Sequence, residues 1–246
     1  MKISVITVCY NADTTIQKCL DSVASQNHKY YEHLIIDGGS NDSTLDIIKK
    51  HKNPNIALIS EKDKGIYNAM NKGLRHASGD IIHFLNADDC YTYNDVFFDV
   101  WSAFNLGSKV VLSDINYGTL KDNIWRSTKP SMKKIKLGWH PPHPGFFCKT
   151  EFYREFGGFD EKLLISADFD IMMKIIMKYI NYVTCLNRVT TLMNPNGESS
   201  SFKSILIGNI NVGHSAKKNG ITKFPIIYIL LRLIPKITRK LKSYRY

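Results

Sequence analysis

The sequence predicts an α/β fold: a mostly parallel sheet flanked by helices, with a basic amphipathic helical extension at the C-terminus. Three observations lead there. Over residues 3–89, short β-rich runs alternate with runs whose apolar residues recur at helical spacing. Each predicted strand ends in polar residues. The net charge of +11 is concentrated at one end of the chain.

The elements follow in order. Ile3 to Cys9 is a β-rich run, and Thr14 to Ser25 places Ile16, Leu20 and Val23 on one helical face. His33 to Ile36 reads as a second strand, stopped by Asp37-Gly38-Gly39-Ser40. Asn41, Asp42 and Ser43 signal the start of a helix reaching His51, and Ile56 to Ser60 is a third strand. Gly65 to His76 is helical, and Asp80 to Leu85 is a fourth strand running into Asn86-Ala87-Asp88-Asp89. Strand alternating with helix implies parallel pairing through right-handed crossovers. Ligands of such sheets bind at the carboxyl ends of the strands, where Tyr10-Asn11, Asp37 to Ser40, Glu61 to Lys64 and Asn86 to Asp89 fall. The second half is less regular. Lys109 to Asn116 and Pro144 to Lys149 read as strands, Pro130 to Leu137 as an exposed connection, Gly157 to Asp160 as a turn and Ala167 to Tyr179 as a helix.

Charge and cysteine narrow the function. From Ser199 onward there are ten Lys or Arg and no acidic residue, so residues 1–198, with 23 basic and 22 acidic groups, are nearly neutral. A nucleic-acid binder spreads basic residues over a groove-facing surface, so this pattern points to a local anionic partner and not to nucleic acid. The five cysteines form no C-x-x-C pair, which fits a reducing cytoplasm. No apolar leader follows Lys2, and a cytoplasmic location is expected.

Four blocks in order, ISVITVCYNA, IIDGGSNDST, EKDKGIYNAMNKGLRHASGDIIHFLNADD and GGFDEKLLISADFDIMMKI, carry a resemblance covering roughly residues 2–200. The sequence resembles the family 2 glycosyltransferases, and among them the bacterial enzymes that build O-antigens, capsules and exopolysaccharides. The resemblance implies a GT-A fold (Rossmann-like), a nucleotide-sugar donor and inversion at the anomeric carbon. It implies a glycosyltransferase domain over 1–200, with a donor half near 1–115 and an acceptor half over 116–200, ahead of a helical basic tail over 201–246.

By this resemblance the donor is bound by Thr7, Tyr10 and Asn11 around the base, by Asp37 at the base or ribose, and by Asp63, Gly65, Asn68 and Asn86. The D-x-D position of the family falls on Asn86-Ala87-Asp88, so its first acid is replaced by Asn86. Asp88 is expected to hold a divalent metal, Mg²⁺ or Mn²⁺, with Asp89 second, because such ions take oxygen ligands and share them with substrate phosphates. The alternative for the pair is a solvated turn. Asp168 is the expected catalytic base, since a sugar hydroxyl needs a carboxylate to take its proton, and its alternative is a helix cap. His143 and Asp170 are acceptor-side candidates, Asp114 is unassigned, and Lys72 is either a phosphate contact or an exposed helix lysine.

Phe224 to Tyr246 mixes apolar residues with Arg232, Lys236, Arg239, Lys240, Lys242 and Arg245, and its apolar runs are far short of the ~20 residues of a membrane span. Docking on an anionic membrane surface is one expectation, at the inner face where a lipid-linked oligosaccharide would be the acceptor. A helix packed on the body or on a second copy is the other. Two rival functions are weighed. A nucleotidyltransferase would carry a Gly-rich basic phosphate loop, which ITVCYNADTT lacks; a degenerate sugar-nucleotide-binding module would not be expected to keep Asp88, Asp89 and Asp168 together.

Overall fold

The structure, a computed structural model, describes residues 1–118, 123–194 and 202–233. The expected alternation is present at the start: β1 (Ile3–Cys9), α1 (Ile16–Ala24), β2 (Tyr31–Asp37), α2 (Thr44–Lys50), β3 (Ile56–Ser60), α3 (Ile66–His76) and β4 (Ile81–Phe84). Then come β5 (Cys90–Tyr91), α4 (Val96–Asn105), β6 (Val110–Tyr117), β7 (Ile124–Trp125), α5 (Met132–Lys136), β8 (Phe146–Lys149), α6 (Thr150–Glu155), α7 (Ala167–Lys178), β9 (Val183–Met193) and α8 (Phe202–Lys218). A further helix, α9, runs over residues 225–233.

The sheet order is β3-β2-β1-β4-β8-β6-β9-β5, with β7 beside β6. The first four strands are parallel, and their register aligns Cys9 with Asp37 and Asp37 with Ser60, so the loops after β1, β2 and β3 open at one edge. Beyond β4 the pairing is mixed, because β8 enters antiparallel between β4 and β6 while β6 and β9 run parallel.

Strand periodicity divides the core. Ile6, Val8, Ile36, Ile82 and Phe84 face Met70 and Leu74 of α3 and the apolar side of α7. Ile3, Val5, Ile81 and Phe147 face Cys19 and Val23 of α1 and Phe97 and Val100 of α4. The buried His83 of β4 is paired at both ring nitrogens: it lies 3.0 Å from the Pro144 carbonyl and 2.7 Å from the Tyr91 hydroxyl, and burial lowers its pKa to about 3, so the ring is neutral.

Two segments correct the sequence reading. Pro130 to Leu137, expected as an exposed connection, contains α5, whose Ser131 caps the helix by accepting from the Lys134 N–H and whose Ile135 is fully buried. The beginning of the basic tail packs on the body: α9 buries Tyr228 against Phe169 of α7. The rest of the tail, including Pro235, Lys236, Arg239, Lys240, Lys242 and Arg245, lies outside the described residues.

Candidate active site

The residues expected around the donor gather where β1 and β2 end. Asn11 adopts a left-handed conformation (φ 49°), available to Asn at low cost, which turns the chain sharply after β1. Its N–H donates to Ser40 Oγ at 2.8 Å and its side-chain oxygen accepts from the Asn41 N–H at 3.0 Å, so the two strand-end loops are laced together. Tyr10 beside it is 63% exposed, an aromatic surface open to a planar ligand. Thr7 corrects the sequence reading: it shares the sheet face of Val5, is fully buried, and its hydroxyl is engaged with His33 Nε2 at 2.9 Å beneath α1. Asp37 is also enclosed, accepting from Gly39 N–H, Ser40 N–H, Ser40 Oγ and Ser60 Oγ. Burial would raise its pKa, but these hydrogen bonds outweigh that and hold it below the ordinary value. With its lone pairs filled, Asp37 shapes the loop, and it reaches a ligand only by giving up Ser40 or Ser60.

The next strand end is an ion cluster. Asp63 meets Lys72 Nζ at 2.5 Å, and Glu61 meets the same ammonium at 2.9 Å. Lys72, expected as an exposed helix lysine or a phosphate contact, is neither: it is buried, neutralised by two carboxylates, and bonded to the Lys62 carbonyl. Gly65 precedes α3 at φ 114°, ψ 170°, a conformation open to glycine alone, which swings the chain from this cluster into the helix. Asn68 accepts from the Lys64 N–H and donates to Glu161, so it ties the Gly65 turn to the loop before α7.

After β4, Asn86 and Asp89 form a tight turn, with the Asp89 N–H donating to the Asn86 carbonyl and Asn86 Nδ2 lying 3.3 Å from Asp89 Oδ2. Asp88 is half-buried and Asp89 is 2% exposed. Burial, then the charge of Asp88, raises the Asp89 pKa to about 7; hydrogen bonds from the Asn194 N–H and Asn86 oppose this only in part. Among the described residues no Lys or Arg pairs with Asp89, and no group of three His, Cys, Asp or Glu could hold a metal by itself. Two adjacent carboxylates, one buried and repelled by the other, suit a divalent cation that also takes oxygens from a substrate.

Asp168 lies in the first turn of α7. The N-cap of that helix is Ser166, held at φ 71°, and no side-chain cap bond is made. Asp168 instead accepts from the Tyr67 hydroxyl at 3.3 Å, and the Tyr67 ring stacks on Phe159 at 5.7 Å. Tyr67 thus links the helix after the donor loop to the acceptor-side carboxylate. His143 stands between Phe84 and Phe159, with centroids at 5.6 and 6.0 Å; burial lowers its pKa, with Asp168 opposing, and its Nε2 is buried without a partner. Asp170, expected on the acceptor side, is instead structural: it is buried, bonded to Lys174 at 2.6 Å and to Asn219 at 2.9 Å, and it fastens α7 to the end of α8. Asp114 likewise holds a turn, accepting from the Ser127 N–H at 2.7 Å.

Sequence reasoning missed Asn194, which follows β9 and donates to Asp89, and the pair His140 and Arg232. The first had a signal in the β-branched run Val183 to Met193 ending in a polar residue. The second had none, since the two residues are 92 positions apart.

Residues 4–160 match the family model described as glycosyl transferase family 2. An uncharacterized glycosyltransferase of Mycobacterium tuberculosis is 30% identical over 179 residues, covering 70% of this chain and 68% of that one. Among solved structures, S. aureus TarS in complex with UDP-GlcNAc superposes with a TM-score of 0.67 at 21% identity, covering 88% of this chain and 67% of that one. A longer TarS chain is spanned to 43%. The mannosyltransferase PcManGT from Pyrobaculum calidifontis, in complex with GDP-Man and Mn2+, gives a TM-score of 0.66 at 19% identity over 94% of this chain and 67% of that one. With family, relative and fold in agreement, the chain belongs to glycosyl transferase family 2 and is a glycosyltransferase of GT-A fold.

Proposed function

We propose that the protein transfers a sugar, with inversion, from a nucleoside-diphosphate sugar to a hydroxyl of a lipid-linked glycan in the making of a cell-surface polysaccharide. The donor by resemblance is a UDP-sugar. The observation that carries the reading is the set of carboxylates: Asp88 and Asp89 in the turn after β4, and Asp168, held by Tyr67 of α3, in the first turn of α7. Solved relatives of the same fold carry UDP-GlcNAc in one case and GDP-Man with Mn2+ in another.

The chemistry follows from the charges. Asp168 takes the proton of the acceptor hydroxyl as its oxygen attacks the anomeric carbon, and the bond to the nucleoside diphosphate breaks with its electron pair leaving on the phosphate. Tyr67, donating to its carboxylate, orients Asp168 at the start of α7. A divalent cation, Mg²⁺ or Mn²⁺, when held by Asp88 and Asp89, would neutralise charge on the leaving diphosphate. Tyr10 offers a face for the base, and the neutral, unpartnered His143 Nε2 lies on the acceptor side.

The membrane part of the reading is supported by surface chemistry. No described helix is long and apolar enough to cross a membrane. α9 and the turn before it leave Phe224, Ile226, Ile227 and Leu230 exposed, and α8 leaves Ile205, Leu206 and Ile210 exposed, ahead of the basic residues after 233. Apolar residues beside a basic cluster suit the cytoplasmic face of an anionic bilayer. The deciding experiment is a panel of UDP-, GDP- and dTDP-sugars with Mn²⁺, scored for binding and hydrolysis. One nucleotide class should bind and turn over slowly without acceptor; no binding by any would end the reading.

A further inference from the structure

The inward face of α9 carries Tyr228 and Arg232, four residues apart, onto Phe169, the neighbour of Asp168. The Arg232 guanidinium sits 5.4 Å from the Phe169 ring centre, its NH2 lies 3.1 Å from His140 Nε2, and its NH1 lies 3.4 Å from Asn209 Oδ1. His140 Nδ1 lies 3.3 Å from the Gly138 carbonyl and 3.5 Å from Arg232 Nε, so the arginine meets both nitrogens of the ring. None of these partners is an anion. No carboxylate of the described residues contacts the guanidinium, and the carboxylate charge that acts on it from nearby is that of Asp168. The Tyr228 hydroxyl, one turn earlier, is buried without a partner.

A guanidinium removed from bulk water is costly unless an anion or a full set of acceptors answers it. Here its five N–H donors are only partly used, and its planar fork matches phosphate oxygens. The backbone is adapted to hold it: Gly138, at φ +91°, allows an approach in which a Cβ would stand 2.8 Å from Arg232 Cα.

We propose that Arg232 is the phosphate receptor of the acceptor subsite, so that the accepting sugar is the one that carries the phosphate and docked α9 is part of the site. The inference rests on the reading of Asp168 as the acceptor's base. Because the guanidinium lies over the residue next to Asp168, phosphate and reacting hydroxyl sit at opposite sides of a single sugar ring. The protein then acts early in chain growth, after a reaction that places a sugar phosphate on a carrier.

The test uses the full chain saturated with UDP, so that the donor's phosphate site is filled, and titrates glucose 1-phosphate and glucose as probes. Glucose 1-phosphate should bind and glucose should not. Arg232→Gln should weaken glucose 1-phosphate roughly tenfold or more, and Arg232→Lys, which keeps the charge without the fork, should fall between. UDP affinity and the melting temperature of Arg232→Lys should stay at wild-type values, and Arg232→Gln should still sediment with phosphatidylglycerol vesicles. Equal glucose 1-phosphate binding by wild type and Arg232→Gln, or none by the UDP-saturated wild type, overturns the proposal. Loss of vesicle binding with glucose 1-phosphate binding intact assigns Arg232 to lipid headgroups and also overturns it. Failure of UDP itself to bind the wild type would instead strike the UDP-sugar donor reading alone, and the titration would then be made with GDP or dTDP filling the donor site.

Discussion

Asp168 and Asp89 are both carboxylates of the candidate site, yet their surroundings differ. Asp168 is half-buried and held by Tyr67, with no cation in contact among the described residues. Asp168→Asn keeps size and polarity but cannot take a proton, so transfer should fall by roughly 10² or more while calorimetric donor affinity stays unchanged. Near-normal transfer would remove Asp168 from the mechanism. Asp89 has its pKa raised to about 7 by burial and by Asp88. Folding therefore favours its protonated form, and that contribution, complete below about pH 4, is lost as pH rises through about 7. Metal-free Asp89→Asn should gain stability over wild type as pH rises across this window, by on the order of 1 kcal/mol or more at the upper end. Melting curves in chelator would show it, and Mn²⁺ should narrow the gap by stabilising wild type alone. A gap that does not change with pH would mean Asp89 is not the group being relieved.

At the scale of elements, α9 is the piece whose role changed most. Its inward residues pack on Phe169, next to Asp168, and its outward residues Ile226, Ile227 and Leu230 are exposed. Removing residues 234–246 should reduce sedimentation with anionic vesicles and spare transfer to a soluble acceptor. Removing 224–246 should cost transfer as well, because Phe169 loses Tyr228 and Arg232. Equal transfer by both truncations would show that α9 is only a tether. Gly138→Ala tests the docking from the other side: a Cβ at φ +91° and 2.8 Å from Arg232 should destabilise the protein by about 1 kcal/mol or more and lower transfer with donor binding retained.

At the scale of the molecule, the parallel half of the sheet supplies the donor loops and the mixed half supplies β6, β8 and β9, with Asn194 at the end of β9 reaching back to Asp89. The elements around Asp168 are helices instead, α7 and α9, braced by α8 through Asp170–Asn219. Binding to vesicles should therefore weaken with added salt, since the basic tail supplies the long-range attraction and the exposed apolar residues the contact. Co-sedimentation that ignores salt, or is absent at low salt, would argue for burial of that face against another protein.

The sequence alone determined the strand-helix alternation, because the parallel strands are continuous apolar runs and their ends are marked by Asn11, Asp37, Asp63 and Asp88. It also marked Asp88, Asp89 and Asp168 as chemistry-bearing, since acids at a strand end and at a helix start are local signals. Tertiary structure decided which strand-end residues are buried. Thr7 and Asp37 turn into protein because sheet pleat and neighbouring donors claim them, and Lys72 is buried because two acids from another segment meet it. Asp170 looked like Asp168 in sequence and differs from it by helical phase, two residues on, which points it at α8 instead of Tyr67. The meeting of Arg232 with His140 belongs to no local pattern: it exists only because α9 folds back across α5 and α7, bringing together side chains that sequence separation hides.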